Sequence, residues 1–273
     1  LSDNLVTFTV PHRREPQLAA FSWRVRPSTI ISISQDLQER EPMIRSTLAV
    51  VTLCLAATAH ADVVLSDGTF TPTNWGLETF TANGTGGTVV ASQLSSGGNP
   101  GQARRVTNTT GSGPNNTIYG LHRYGTTNAT RYEPVNQGAI ASVDFSIDFV
   151  FLSGVGGQGQ GLSLGAKQGT VVFAAGSTVT GSSTSWTSYS VTGLTAADFT
   201  AVSGSGSINF SATGAPIRFG FITSNSNGGT TSYFNEIAYD NFHVRIVQVP
   251  GPSWIALSCG TLMVSVRRRR FSR

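Results

Sequence analysis

The chain has 273 residues, 39% of them hydrophobic and only 12% charged, with 31 glycines and a formal net charge of +4. That length holds one large domain or two small ones with a buried core. A charged fraction near half the usual ~25% excludes a coiled coil or a salt-bridge-laced helical protein, and equally a charge-driven disordered chain.

Residues 1–42 carry prolines and scattered arginines but no sustained period of 2 or 3.6. Met43 is the first methionine, so we expect 1–42 to be upstream sequence ahead of the start or, as the alternative, an unstructured cytoplasmic leader. Met43-Ile44-Arg45 then opens a short positive region, and Leu48 to Ala57 supplies an apolar stretch. Ala59-His60-Ala61 places small residues, Ala59 and Ala61, at the two positions that signal peptidase reads. This order is a secretory signal over 43–61, a helix before cleavage, which would leave Asp62 as the new N-terminus.

Residues 62–248 read as an all-β ectodomain. In Ala139–Leu152, Val143, Phe145, Ile147, Phe149 and Phe151 fall on one face, with Asp144, Ser146 and Asp148 opposite. That period-2 alternation marks a half-buried strand. Further strands are expected at Thr88–Leu94, Ala103–Thr109, Thr117–Tyr124, Leu162–Ala166, Thr170–Ala174, Ser185–Val191, Ile208–Ser211, Ile217–Thr223 and Ala238–Val247. Gly, Asn, Ser and Thr clusters separate them. Thr195-Ala196-Ala197-Asp198 has the form of a capping box and predicts one short helix. About ten strands fit an antiparallel two-sheet sandwich of jelly-roll type. A β-helix is the second choice, but no fixed-period repeat supports it.

The ectodomain holds seven basic and nine acidic residues, so the positive excess of the chain lies in its ends. No basic stripe is present there to neutralise phosphates, and no nucleic-acid partner is expected. Cys54 and Cys259 both lie outside it, which excludes a disulfide framework, a thiolate metal site and a cysteine nucleophile. Gly154-Val155-Gly156-Gly157-Gln158-Gly159 matches G-x-G-x-x-G, but another strand follows instead of a helix. It reads as a hairpin loop, not as a dinucleotide site. Asp144 and Asp148 stand roughly 13 Å apart on a strand at ~3.3 Å per residue. Glycosidase pairs need roughly 5–5.5 or 6.5–9.5 Å, so a solvated outer face is the better reading.

His122 and His243 have no H-x-x-x-H partner and read as surface or strand-face residues; no G-x-S-x-G elbow occurs. No catalytic residue is therefore assigned. Asp67, Asp240 and Asn241 are hard oxygen donors suited to structural calcium, set against ordinary Asp-Gly and Asp-Asn turn chemistry, which we favour. Among Trp75, Trp186, Tyr119, Tyr124, Tyr189 and Tyr233, we select Trp75, Tyr124 and Tyr233 as platforms for sugar rings. Trp186 alternates with Ser185 and Thr187 and is expected to point inward.

The chain ends in Val249-Pro250-Gly251-Pro252, a short apolar run from Trp254 to Val266, and the arginines Arg267, Arg268, Arg269 and Arg270. The run is below the ~20 residues of a comfortable span, and the positive-inside rule keeps the arginines cytoplasmic with Trp254 at the opposite interface. This tail over 249–273 resembles the PEP-CTERM sorting signal, a proline-bracketed motif, a short transmembrane helix and a terminal arginine cluster on bacterial proteins with a signal peptide. The resemblance implies export, membrane retention and processing by an exosortase in bacteria that make exopolysaccharide. Gly251 stands where that motif carries glutamate, which leaves processing and plain anchoring both open. Ser66-Asp67-Gly68…Trp75 and Tyr239-Asp240-Asn241-Phe242-His243-Val244 are similar to lectin-like sandwiches, whose first and last strands lie together.

The sequence thus predicts an exported, non-catalytic protein, either a cell-surface or matrix component or a glycan-binding module with polysaccharide as its ligand, whose further partners are signal peptidase, an exosortase-type enzyme and the membrane. The alternative is a secreted polysaccharide-active hydrolase or lyase of jelly-roll type.

Overall fold

A computed structural model describes residues 61–250 apart from 114, 128–129 and 156–158. The signal segment through Ala59, the residues Gly251 and Pro252, Trp254 and Arg267–Arg270 lie outside the described residues. Among those described, no helix is long and apolar enough to cross a membrane.

The chain runs β1 (Val63–Asp67), β2 (Trp75–Ala82), β3 (Gly87–Gly98), β4 (Gly101–Thr110), β5 (Asn116–Tyr124), β6 (Ile140–Gly154), β7 (Gly161–Gln168), β8 (Val171–Val179), β9 (Thr187–Leu194), β10 (Thr200–Ser203), β11 (Ile217–Asn227) and β12 (Phe234–Gln248). Every strand pairing is antiparallel. One sheet has the order β3-β4-β12-β6-β9 with β1 beside β12; the other has the order β10-β8-β7-β11-β5-β2. The expected all-β, two-sheet sandwich is the architecture observed.

β12 organises the first sheet. It pairs with β6 along nearly its whole length, while β4 takes its other edge over Phe234–Tyr239 and β1 takes that edge over Phe242–Ile246. Before the register shift at Asp240, Ile237 and Tyr239 are buried; after it, Phe242, Val244 and Ile246 are. A period-2 strand cannot bury odd and then even positions without an extra residue. Asn241, in the left-handed region at φ 51°, supplies it. The inner face of β6 (Val143, Phe145, Ile147, Phe149) meets that of β11 (Ile217, Phe219, Phe221) and β7 (Leu162, Leu164, Ala166) in one apolar core.

Several expectations are corrected. β1, β2 and β10 are strands that the alternation did not mark, and Ile208–Ser211 is irregular although Ile208 and Phe210 are buried. The glycine segment after β6 is no hairpin: β6 pairs with β12 and β9, and β7 with β8 and β11, so it carries the chain from one sheet to the other. The capping box closes as read, with Thr195 N and Oγ1 donating to Asp198 Oδ2 at 2.7 and 2.8 Å above a single 3-10 turn, Ala196–Asp198. A further helical turn, Pro134–Gln137, was not expected.

Candidate functional site

The second sheet curls. Its edge strands β10 and β2 come within 8 Å of each other between Cα atoms, although four strands separate them in the sheet. In consequence Leu121, Val172 and Ile222 are buried on the face turned away from the core, packed with Phe80, Tyr119, Ala174 and Val202. A fully buried leucine on an outer face means that the face is concave and fills itself. Glycines make this curvature fit: a Cβ on Gly165 would stand 2.7 Å from Leu121 Cδ1, and one on Gly220 would stand 1.9 Å from the His122 carbonyl oxygen.

Two kinds of side chain line this trough. At one end Phe80 and Tyr119, cross-strand partners of β2 and β5, stack at 5.1 Å between ring centroids and 7° between planes. Both are half-buried, and hydroxyls stand beside them, with Thr117 Oγ1 and Ser226 Oγ 3.0 Å apart. At the other end Lys167 Nζ donates to Glu78 Oε1 at 2.8 Å and Oε2 at 2.6 Å, tying β7 to β2 across the trough. Arg123 Nε lies 3.7 Å from the same carboxylate. Arg218 Nη1 donates to the carbonyls of Gly125 and Thr127, and Arg131 Nε to Glu133 Oε1 at 2.6 Å. Arg131 holds the Glu133 carboxyl below its ordinary value. Burial, then the charges of Arg123 and Arg131, pushes the Arg218 guanidinium down.

The platforms selected from sequence lie elsewhere. Trp75 is a core residue, not a surface plate: it is only 6% exposed and packs against Phe70, Tyr124, Phe221 and Phe242. Tyr124 turns to the same core, edge-on to Trp75 at 5.4 Å. Their strands point them inward in register, Trp75 opposite Tyr124. Tyr233 is half-buried, and its hydroxyl donates to the Ser226 carbonyl at 2.6 Å. Trp186 covers Val150, Ala238 and Ala103 on the outer side of the first sheet instead of pointing inward. Phe80 was missed altogether. Its signal, the alternation of Gly76, Glu78 and Phe80 with Trp75, Leu77 and Thr79, puts an aromatic ring on each face and does not say which face is inner.

Asp67, Asp240 and Asn241 do come together, where β1, β12 and the β3–β4 turn meet. An ideal Cβ on Gly68 would stand 3.5 Å from Asn241 Oδ1 and 3.7 Å from Asp240 Oδ1. Asp67 Oδ1 accepts the backbone N–H groups of Thr69 and Phe70, and its Oδ2 accepts Trp75 Nε1–H at 2.8 Å. Asp240 Oδ1 accepts the Asn241 N–H and Oδ2 that of Asn99. Burial raises the Asp240 carboxyl, the two backbone donors lower it, and the charges of Asp148 and Asp67 raise it again. All four carboxylate oxygens are thus taken by N–H groups of the chain, and among the described residues no three of His, Cys, Asp and Glu converge as metal ligands. These contacts are the turn chemistry of Asp-Gly and Asp-Asn. Asp67→Ala is expected to cost about 1–3 kcal/mol by stranding these donors, read as a lower urea midpoint.

Asp144 and Asp148 are likewise bound by the chain. Asp144 accepts Gly193 N–H at 2.8 Å and Arg245 Nη1 at 3.1 Å. Asp148 accepts Ser188, Asn241 and Asn99. Beside them a surface depression of about 700 Å³ is lined by Ser66, Asp67, Gly68, Ser146, Asn241, Phe242 and His243. His243 lies in register between Ser66 of β1 and Ser146 of β6. His122 is not a surface residue. It is fully buried, stacked on Phe221 at 4.5 Å, accepting Arg104 Nε–H at Nδ1 and facing Thr223 Oγ1 at 3.2 Å through Nε2.

No protein-family model matches the chain, and no curated protein does. Among solved structures it is similar to the family 11 carbohydrate-binding module of cellulosomal cellulase Lic26A-Cel5E of Clostridium thermocellum, at 12% identity and TM-score 0.41, covering 70% of this chain and 97% of that one. It is also similar to the CBM22-1 xylan-binding domain from Paenibacillus barcinonensis Xyn10C, at 13% identity and TM-score 0.38, covering 71% and 99%.

Proposed function

We propose that this chain is an exported bacterial surface or matrix protein whose β-sandwich binds polysaccharide in the trough of its second sheet without cleaving it. The observation that carries the binding site is the stacked Phe80–Tyr119 plate, half-exposed at one end of a concave, self-filled face. A flat ring pair beside hydroxyls suits a sugar ring, whose apolar face packs on the plate while its edge hydroxyls meet Ser and Thr. The non-catalytic reading is supported by Asp144 and Asp148, whose carboxylates are committed to hydrogen bonds and an ion pair within the fold.

The binding site is tested by affinity electrophoresis of the full chain through gels containing soluble polysaccharides. The double variant Phe80→Ala/Tyr119→Ala is expected to weaken retardation at least about tenfold, with the melting temperature shifted by only a few degrees. Unchanged retardation removes the trough from the account. Release of reducing ends from any retarding polysaccharide would overturn the non-catalytic reading and favour the hydrolase or lyase.

Export and sorting rest on the two terminal signals. A mature N-terminus at Asp62 is the expected product of signal peptidase. Protein recovered from the native host is expected to lack the arginines after an exosortase-type cut; an intact Arg273 would leave anchoring alone.

A further inference from the structure

The outer face of the first sheet, on the opposite side of the sandwich from the trough, carries two features that the fold itself does not use. The first is Trp186, which leads into β9. It packs across Ala103, Val150 and Ala238 with Leu94, yet part of the side chain stays open to solvent. Ser183, Ser185 and Thr187 set hydroxyls around it along the chain, all three exposed. A half-covered indole on a floor of short side chains, with hydroxyls at its rim, is a plate for a sugar ring.

The second feature is the depression around His243. Ser66 of β1, His243 of β12, Ser146 of β6 and Ser190 of β9 stand opposite one another in register. They form a row of polar side chains across four strands, roughly 15 Å long at ~4.8 Å per strand. Ser66 and Ser190 are exposed, and Ser146 and His243 are half-buried. Among the described residues, none of these four side chains makes a hydrogen bond within the chain, nor does the indole N–H of Trp186. The groups around them are engaged: Asp67, Asp144, Asp148, Asp240 and the Asn241 amide all hold donors or acceptors of the fold. The unengaged atoms therefore line a surface depression of about 700 Å³, where a ligand reaches them. No carboxylate holds the His243 ring, so the His-Ser pairing lacks the third group that orients a catalytic base.

Val150, beneath Trp186, and Ser146, beside His243, point to the same face of β6 four residues apart, roughly 13 Å at ~3.3 Å per residue. An extended chain of two or three sugars spans that distance. On this face Asp62, Asp144, Asp148 and Glu236 outnumber Arg105 and Arg245, an excess that disfavours an acidic polymer. We infer that a neutral polysaccharide binds here as well, one ring on Trp186 and the hydroxyls of a further sugar on Ser66, Ser146 and His243. The two outer faces of a sandwich look in opposite directions. One domain therefore holds two glycan chains at once and cross-links them. The cross-linking rests on the trough being a glycan site; the site on the first sheet does not.

The test uses the full chain with galactomannan, hydroxyethyl cellulose and dextran, and with polygalacturonate as the acidic comparison. Retardation in gels reports binding, and low-speed pelleting of the polymer reports cross-linking. The parent is expected to pellet the neutral polymer that retards it, with pelleting falling again once protein exceeds the sites on the polymer. Trp186→Ala/His243→Ala is expected to cut pelleting at least about tenfold while the trough still retards the protein. Ser66→Leu fills the depression and removes no contact of the fold, so it gives the same result should the first variant misfold. Phe80→Ala/Tyr119→Ala is expected to lose pelleting and keep a weaker retardation, which the first-sheet substitutions then abolish. Pelleting unchanged in the first-sheet variants would overturn the inference. So would a trough variant that no longer binds at all, which would leave the trough as the one glycan site. Retardation lost in the first-sheet variants and unchanged in the trough variant would uphold the first-sheet site and overturn the trough and the cross-linking. No retardation by any polymer would overturn every glycan reading. Stronger pelleting of polygalacturonate would overturn the neutral ligand. Dimers of the protein alone in sedimentation velocity, persisting in variants that still pellet polymer, would reassign the pelleting to self-association and overturn the cross-linking.

Discussion

Trp75→Ala is expected to destabilise the protein by about 3–5 kcal/mol, a large share of the ~5–15 kcal/mol of a typical domain. The indole lies where the two sheets and the β1–β2 turn meet. It stacks on Phe70 at 4.9 Å and meets Tyr124, Phe221 and Phe242 edge-on at 5.4, 5.6 and 5.0 Å. Arg104 stands 5.3 Å above the ring, and the indole N–H holds Asp67. Truncation removes the ring from five neighbours and leaves Asp67 Oδ2 without its donor. Phe70, at φ 49°, is held in a strained turn that this packing maintains. Urea unfolding followed by far-UV circular dichroism measures the loss. Trp75→Phe, which keeps most of the packing but not the hydrogen bond, is expected to lose about 1–2 kcal/mol. Equal midpoints for the alanine variant and the parent would show that the ring is not a keystone.

Between pH 7 and pH 5 the protein is expected to lose stability through His122. Burial, then the positive charge of Arg104, pushes the imidazole well below its ordinary value. The folded state resists protonation of this ring, while the unfolded chain takes up a proton near pH ~6.5. The unfolded state therefore binds more protons, so the stability is present above ~6.5 and lost as pH falls. Arg104 itself is buried and lowered to about 10, by desolvation that the charge of Asp67 partly offsets. A second cation beside it has no compensating carboxylate in contact. Asp240, raised by burial, works in the opposite sense, its contribution fading as pH rises. The contrast with His122→Gln isolates the histidine: the variant's melting temperature is expected to change less across this range. Parallel profiles for the two proteins would assign the acid sensitivity to other groups.

How much of this was legible depends on where the information lay. The alternation from Ala139 to Leu152 marked β6 and its inner face because one parity is apolar and the other is Asp or Ser. β5 defeats the same rule: Ile118 on one parity and Tyr119 and Leu121 on the other are all apolar, since one set faces the core and the other fills the trough. That second face exists only because the sheet curls, and curvature depends on pairings among six strands. For the same reason Trp75 looked like a surface plate from sequence, while Phe80 passed unnoticed. The meeting of Asp67 with Asp240 and Asn241 was legible because first and last strands of a sandwich lie together. What they do there, capping a turn and clasping the β3–β4 turn, depends on N–H groups with no side-chain signature. The basic residues at the other end of the trough were not legible as a group because successive members stand 8, 36 and 51 positions apart along the chain.

The placement of β12 has a mechanical consequence. It is held by β6 on one edge and by β4 and then β1 on the other, and Val63 at the start of β1 lies opposite Ile246 near the end of β12. A pull on the chain beyond Gln248, directed along the strand, loads these ladders in shear, with many backbone hydrogen bonds resisting at once instead of parting one by one. Because β1 runs antiparallel to β12, both ends of the sandwich leave from the same side. Tension applied at the C-terminal end is thus borne by a strand paired on both edges.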